Sequence, residues 1–479
     1  MLENRLRLQV LSDVALDQIE DIAYRLLDEV GISLQHAGAT EMLHGRGCRV
    51  EKGRVFIPRE VVHWALDNLT SHTEFYNKDG SPAFSFGDGQ VRFHNSGGPP
   101  FIYDLETGQR RPASLHDAAQ VTRLLDALPH VDVVIPLFGP QDVHPALLTV
   151  ASTEVVLRHT RKPFSSAAIE KPEYVPYVVE MAAACCGGME AYRSHPTMSI
   201  SVSPVSPLTF THDVTASIMA VAESGTPFHA LPAPSLGATG PITLAGALAQ
   251  QHAEVLASFV IVAAVWPGLP VVYCSRVNPI DLRTAVSSWG GPEVGMAGAC
   301  AGQLARRLGL PCDAYGLCTS ANRLDPQFAY ERLANAIIPA LAGVDILSGL
   351  GGAASGLTGS LEIAVIDDEM AGLIKHIIAG VEVSQETLAF DVMKTVIPRD
   401  GVFLGELHTA KQMRKGAIWT PRVSSRADAT DDDAPGVVER ARERARELLR
   451  THHVEPLPAD VSRHLDDIIA RARRELVRN

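Results

Sequence analysis

Residues 310–350 read LPCDAYGLCTSANRLDPQFAYERLANAIIPALAGVDILSGL. An apolar strand-like run, 312–318, is followed by a loop, by Asp325-Pro326 as a helix start, by a helical pattern to Leu341, and by a second apolar run, 344–350. Pro at the first helical position suits a helix start, and strand-helix-strand in this order forces two parallel strands with a right-handed crossover. The same grammar extends back toward residue 115. Strand candidates lie at 131–137, 163–168, 197–203, 227–232, 270–275 and, more weakly, 285–289. With 312–318 and 344–350 they make eight, each followed by Gly, Pro, Ser or Asn and then a helical stretch. Eight parallel units over about 240 residues match a (β/α)8 TIM barrel, so the class is α/β.

The flanks differ. Residues 1–114 read as an N-terminal α/β cap of helices and hairpins, 115–385 as the barrel, and 386–479 as a C-terminal helical extension. In that extension the Glu/Arg alternation reads as a solvated face with pairs four residues apart.

Composition excludes several classes. The 479 residues are 46% hydrophobic and 20% charged, and 42 Lys+Arg against 55 Asp+Glu give a net charge of −13. Nucleic acid and anionic membranes need a basic surface, so neither is an expected partner. The start of the chain carries no secretory pattern, and the apolar run 255–266 is shorter than the roughly 20 residues of a spanning helix. Seven scattered cysteines with no CxxC pair suit reduced thiols in a cytoplasmic protein, and no metal site is expected.

Barrel chemistry sits at the carboxyl ends of the strands. Those ends are rich in Gly, Pro and Ser and poor in charge: Ser203-Pro204, Tyr273-Cys274-Ser275, Gly316-Leu317-Cys318-Thr319-Ser320 and Gly349-Leu350-Gly351-Gly352. A rim this poor in Asp, Glu, His and Lys is short of the tools of metal or proton-transfer catalysis. Gln327 and Glu331, four apart in the first turns of one helix, are the best charged and polar candidates for substrate contact. His229 lies inside a strand, either a core residue or inward-facing. Glu254 falls far down its helix, toward the barrel bottom, as a structural group. Cys274 and Cys318 have no basic neighbours in sequence to activate them. Phe93, Tyr103, Phe138, Tyr273, Trp289 and Tyr315 are core fillers by default, but several could form an aromatic box for an alkylammonium.

Longer stretches resemble a known family: LSDVALDQIEDIAYRLLDEVGI (11–32), VFIPREVV (55–62), YDLETGQRRPASLHDAAQVTRLLDALPHV (103–131), LGATGPITLAGALAQQHAEVLA (236–257), PGLPVVY (267–273), DPQFAYERLANAIIPALAGVDIL (325–347), GSLEIAVIDDEMAGLI (359–374) and FLGELHTAKQMRKGAIWTPRV (403–423). Over nearly its whole length the chain resembles the trimethylamine methyltransferase family. The resemblance implies a barrel that moves a methyl group from a methylated amine to the Co(I) of a separate corrinoid protein at the barrel mouth, with the cobalamin supplied by that partner and none bound tightly here. A quaternary ammonium leaves as a neutral tertiary amine, so no general acid is needed and a charge-poor rim suffices.

Pyrrolysine is absent, so the chain resembles the branch of the family whose members use betaine-type quaternary amines, and the resemblance implies a substrate of that kind rather than trimethylamine. Where the family loop carries an Asp-Ala-Lys-like run, this chain has Ser320-Ala321-Asn322, which counts against glycine betaine; Asp325, Gln327 and Glu331 are kept. The expected site is Glu331 and Gln327 as catalytic residues, with Tyr103, Ser203, His229, Tyr273, Tyr315, Gly316, Ser320, Asn322 and Gly351 around the substrate. A homo-oligomer is expected. A barrel lyase or decarboxylase acting on a methylated amine, or a non-catalytic amine-binding protein, are the alternatives.

Overall fold

The computed structural model describes residues 6–71, 74–426 and 434–477. Its centre is a ring of parallel strands: β1 (Arg92–Asn95), β2 (133–134), β3 (Phe164–Ser165), β4 (Met198–Val202), β5 (Phe228–Ala230), β6 (Val271–Ser275), β7 (Cys312–Tyr315) and β8 (Ile346–Leu350). β3 to β8 pair in sequence order and β8 returns to β1. The bridges His94↔Val133 and Val134↔Phe164 close the ring through β2. Each strand leads to a helix: α1 (Leu115–Ala127), α2 (Leu148–His159), α3 (Val175–Cys185), α4 (His212–Ser224), α5 (Leu244–Val265), α6 (Pro292–Arg307), α7 (Pro326–Leu341) and α8 (Leu361–Ala379). The barrel expectation holds.

Three parts of the expected layout are reassigned. The first stave is Arg92–Asn95, expected in the cap, so the barrel begins before the boundary at 115. The stretch 285–289 is not a stave: Val286–Ser287 pairs antiparallel with Ile280–Asp281 in a small sheet formed by the loops after β5 and β6. The hairpin Phe101–Tyr103/Arg110–Pro112, also expected in the cap, is the loop after β1, and it joins the loop after β8 in a four-stranded sheet at the mouth.

Strand alternation sorts the interior from the helix layer. In-register partners Cys274↔Asp313↔Ile346 and Tyr315↔Ser348 share one face, His229↔Val272 the same one, and Tyr273, Cys312 and Ala230 the other. Val133, Val272, Cys274 and Ile346 cluster with Phe75 and Phe86, so the first face is the interior. Phe75 and Phe84 belong to the hairpin Glu74–Tyr76/Pro82–Ser85, which bonds to the chain just before β3 and β4 (Lys78 N to Arg161 O, Tyr76 N to Pro196 O). This aromatic plug closes the amino end of the barrel, each buried ring contributing about 1.5–3 kcal/mol.

α5 is long and apolar enough to cross a membrane, yet Ala247 to Ala263 are buried inside the molecule. It packs between the barrel and the N-terminal helices Asp13–Arg25, Ala37–His44 and Arg59–Asp67, so the cap clasps the barrel's flank. The C-terminal helices Val437–Thr451 and Ala459–Leu476 lie along the other wall, against α8 and α1 and against α3 and α2. Their arginines do not only solvate a face. Arg442 pairs with Glu362, Arg446 with Glu106 and Arg471 with Glu180, tying both helices to the barrel.

Candidate active site

The loops after β6, β7 and β8 meet over the mouth. Glu331, half-buried on α7, turns its carboxylate back onto the β7 loop. It accepts from the Ser320 amide (2.9 Å), the Thr319 hydroxyl and Gln327 Nε2 (2.8 Å). Gln327 is exposed and reaches the rim through Glu331. Ser320 Oγ accepts from the Gly290 amide at 3.0 Å, which stitches the β6 loop to the β7 loop. Tyr103, on the β1 hairpin, donates to the Asn322 carbonyl at 2.6 Å, and the Asn322 side chain is exposed.

Beside this lattice stands an aromatic pair. Trp289 and Tyr315 have ring centroids 5.0 Å apart and planes at 36°. Asn335 on α7 donates to the Trp289 carbonyl at 3.2 Å. Gly356 in the β8 loop, at φ +80°, lies against the Trp289 ring, where a Cβ would come within 2.7 Å of it. Tyr315 points inward from β7, and burial pushes its phenol pKa up. Arg276 lies 5.0 Å from the Tyr315 ring on the cation-π axis.

Below the pair the interior holds a charged group that sequence reading missed. Asp313 is buried, with Arg276 Nη2 2.7 Å and His94 Nε2 3.4 Å from Oδ1, and His229 Nδ1 3.5 Å from Oδ2. Burial opposes its ionisation, but Arg276 and His94 outweigh that and hold the carboxyl well below the usual range. His229 is thus inward-facing, and burial lowers its pKa. Cys274 also faces inward. Burial raises its thiol well above the ordinary value and takes Cys318 to about 11, so neither is an activated nucleophile, as expected.

Three expected site residues are elsewhere. Tyr273 faces outward, fully buried, with its hydroxyl 3.1 Å from His252 Nδ1 on α5, because strand parity gives the interior to Cys274. Gly316 also lies on the outer face, where a Cβ would come within 2.7 Å of Leu347 Cβ; its smallness lets β7 and β8 pack. Gly351 spends its amide on the buried Asp367, at 2.7 Å. Ser203, one residue beyond β4 with the interior parity, stays at the mouth, half-buried. Glu254 is structural, as expected, but not at the bottom. It accepts from Leu208 N (2.9 Å) and Ser206 Oγ (2.8 Å) in the loop after β4, because α5 overruns the barrel.

The second missed group is the Arg332–Asp367 pair beneath the β8 loop. Arg332 Nη2 also donates to the Gly349 carbonyl at 3.1 Å and its Nη1 to the Gly352 carbonyl, fixing the loop that carries Gly356. A separate cleft of about 510 Å³ near Leu8, Gly309 and Asp345 opens at the amino end of the barrel, away from this chemistry.

Comparison with known proteins agrees with this architecture. The chain is 31% identical to a trimethylamine methyltransferase of Desulfitobacterium hafniense over 97% of its length and 94% of the relative's. It is 28% identical to a glycine betaine methyltransferase of the same species, with 98% of each chain covered. The monomethylamine methyltransferase of Methanosarcina barkeri superposes with a TM-score of 0.50 at 13% identity, covering 92% of this chain and 87% of that one, which speaks for the fold. The family model described as trimethylamine methyltransferase matches residues 1–477, and the chain belongs to that family.

Proposed function

We propose that the protein takes a methyl group from a quaternary or otherwise methylated, betaine-like amine and delivers it to a separate corrinoid protein docked on the barrel mouth. The observation that carries this reading is the character of the mouth. The rim carboxylate of Glu331 is committed to the β7 loop, and the buried Asp313 below the aromatic pair is committed to Arg276 and His94. Around the mouth the βα loops expose Val205, Ile242, Leu282, Val286 and Leu357, and the first turns of α7 expose Tyr330, a broad apolar rim suited to a large, nearly neutral partner.

The reduced cobalt of the partner's corrinoid supplies the nucleophile that accepts the methyl group. This chain's residues bind and orient the amine. The Trp289 and Tyr315 rings offer π faces to an alkylammonium, and the Glu331 carboxylate adds negative charge at the rim. Partner docking over the apolar rim excludes water, which strengthens these contacts. The leaving amine is neutral when the substrate is quaternary, so no proton has to be delivered to it.

Further expectations have structural support. All seven cysteines are free, as a cytoplasmic setting requires. The segment 381–418 exposes Leu404 (86%) and Leu407 (89%), apolar surface that a homo-oligomer would cover.

The test is incubation of the purified chain with a reduced corrinoid protein and a panel of methylated amines and betaines. The expected result is demethylated amine appearing in step with methylation of the corrinoid. Transfer from no member of the panel would refute the reading.

A further inference from the structure

We propose that His229, Cys274 and Asp313 form a binding site for a single divalent metal ion, zinc by preference, inside the barrel beneath the aromatic pair. This site is independent of the methyl-transfer reading. The three side chains come from β5, β6 and β7 and face the interior, and their ligand atoms lie within 4.8 Å of one another. His229 Nδ1 is 3.5 Å and Cys274 Sγ 4.0 Å from the same oxygen, Asp313 Oδ2. Bonds of about 2.0–2.3 Å to nitrogen, oxygen and sulfur in a tetrahedron set ligands about 3.3–3.7 Å apart, so the nitrogen–oxygen pair already fits and the sulfur has to move in toward both, by up to about 1 Å.

A second observation points to a missing occupant. His229 is only 4% exposed; its Nε2 makes no hydrogen bond, and its Nδ1 has only the long 3.5 Å approach to Asp313 Oδ2. A buried imidazole with one nitrogen idle and the other held only at long range lacks the close partners that buried polar groups almost always have. Ser348 Oγ, facing the same interior from β8, is also buried without a partner and is available to a metal-bound water. Asp313 is prepared as a ligand: Arg276 Nη2 occupies Oδ1 at 2.7 Å and leaves Oδ2 for the metal. Such support is what orients ligating carboxylates in metal sites.

The donor set selects the ion. One imidazole, one thiolate and one carboxylate suit a borderline cation such as Zn²⁺ and disfavour Mg²⁺ or Ca²⁺, which take oxygen. As the metal-sulfur bond forms, the Cys274 thiol releases its proton to solvent. Zn²⁺, the thiolate and the Asp313 carboxylate then sum to zero charge, and the fourth position is left for water.

The experiment uses the full chain, stripped with a chelator and titrated with Zn²⁺ alone, then with Co²⁺ as a spectroscopic stand-in. The expected result is one tight equivalent of zinc per chain, with a thiolate-to-cobalt charge-transfer band and the visible bands of tetrahedral Co²⁺. Cys274→Ala removes the charge-transfer band and weakens zinc by more than the roughly 10–100-fold seen on losing a group that only supports a ligand. Cys48→Ser, remote in the N-terminal unit, keeps both. Substoichiometric zinc, a missing thiolate band in the wild-type chain, or the same band in Cys274→Ala overturns the site. The wild-type titration decides even if a variant fails to fold.

Discussion

Arg332 and Asp367 face each other with no solvent contact on either side chain: Arg332 Nε lies 2.7 Å from Asp367 Oδ1, and Nη2 meets Oδ2. Together they take in the carbonyls of Gly349 and Gly352 and the amide of Gly351, so the loop after β8 hangs on one ion pair. Removing either partner strands the other charge in the core. Arg332→Ala or Asp367→Ala should each cost about 3–5 kcal/mol in denaturant unfolding, and an apolar double replacement such as Arg332→Met with Asp367→Leu should cost less than either. A loss below about 1 kcal/mol in the singles would mean the pair does not carry the loop.

The Glu331 carboxylate joins three groups of the β7 loop and α7 while standing at the rim. Glu331→Gln keeps its shape but swaps one acceptor for a donor against Gln327 or Ser320. We expect about 1–2 kcal/mol lower stability and, in methyl-transfer assays, a rise in KM for a cationic substrate that exceeds the change in kcat. An unchanged KM would confine Glu331 to holding the loop.

The barrel was legible because short continuous apolar runs bounded by Gly, Pro, Ser or Asn alternate with longer helical stretches from residue 115 onward. Its first stave was not, because Arg92–Asn95 is short and leads into Gly97-Gly98-Pro99-Pro100 and a hairpin before any helix begins. Val286 looked like a stave because a two-residue pairing in a loop sheet leaves the same local signal as a strand end. At the site, Glu331, Gln327, Tyr103, Ser320 and Asn322 do share one loop network, since helix spacing and loop position are local properties. Tyr273 failed for a physical reason. Every residue of β6 is buried on one face or the other, so no polar alternation reveals which parity looks inward. The Asp313 cluster and the Arg332–Asp367 pair unite residues far apart in the chain, and pairings of that kind are set by tertiary closure.

The Trp289 and Tyr315 rings give a prediction about charge rather than size. A quaternary ammonium and its neutral carbon isostere fill the same volume, but only the cation gains from the ring faces. Trp289→Ala should weaken the cation about 2–30-fold, the equivalent of roughly 0.5–2 kcal/mol, and leave the isostere less affected, as read by calorimetry. Trp289→Phe should recover part of the difference. Equal losses for both ligands would assign Trp289 to packing against Gly356 alone.

His130 and Asp368 supply a test of opposite signs. The His130 amide donates to Asp368 Oδ1 at 2.8 Å. Burial, opposed by the His130 amide and Lys162, raises the Asp368 carboxyl from 3.8 to about 6. Burial, aided by Lys375 and Arg422, lowers the His130 imidazole from 6.5 to about 4. Between about pH 4 and 6 the folded chain therefore holds an extra proton on Asp368, and its share of stability falls as pH rises. Over nearly the same window the unfolded chain holds the extra proton on His130, and that share rises with pH. The two slopes, each worth on the order of 2–3 kcal/mol, oppose one another in the wild-type protein. Asp368→Asn should be more stable than wild type at pH 7 and lose stability on acidification toward pH 4 more steeply than wild type does. His130→Gln should shift the slope the other way, toward stability gained on acidification over that interval. Denaturant midpoints measured from pH 4 to 7 on the three proteins decide it. Parallel curves for all three would show that neither group titrates differently in the folded chain.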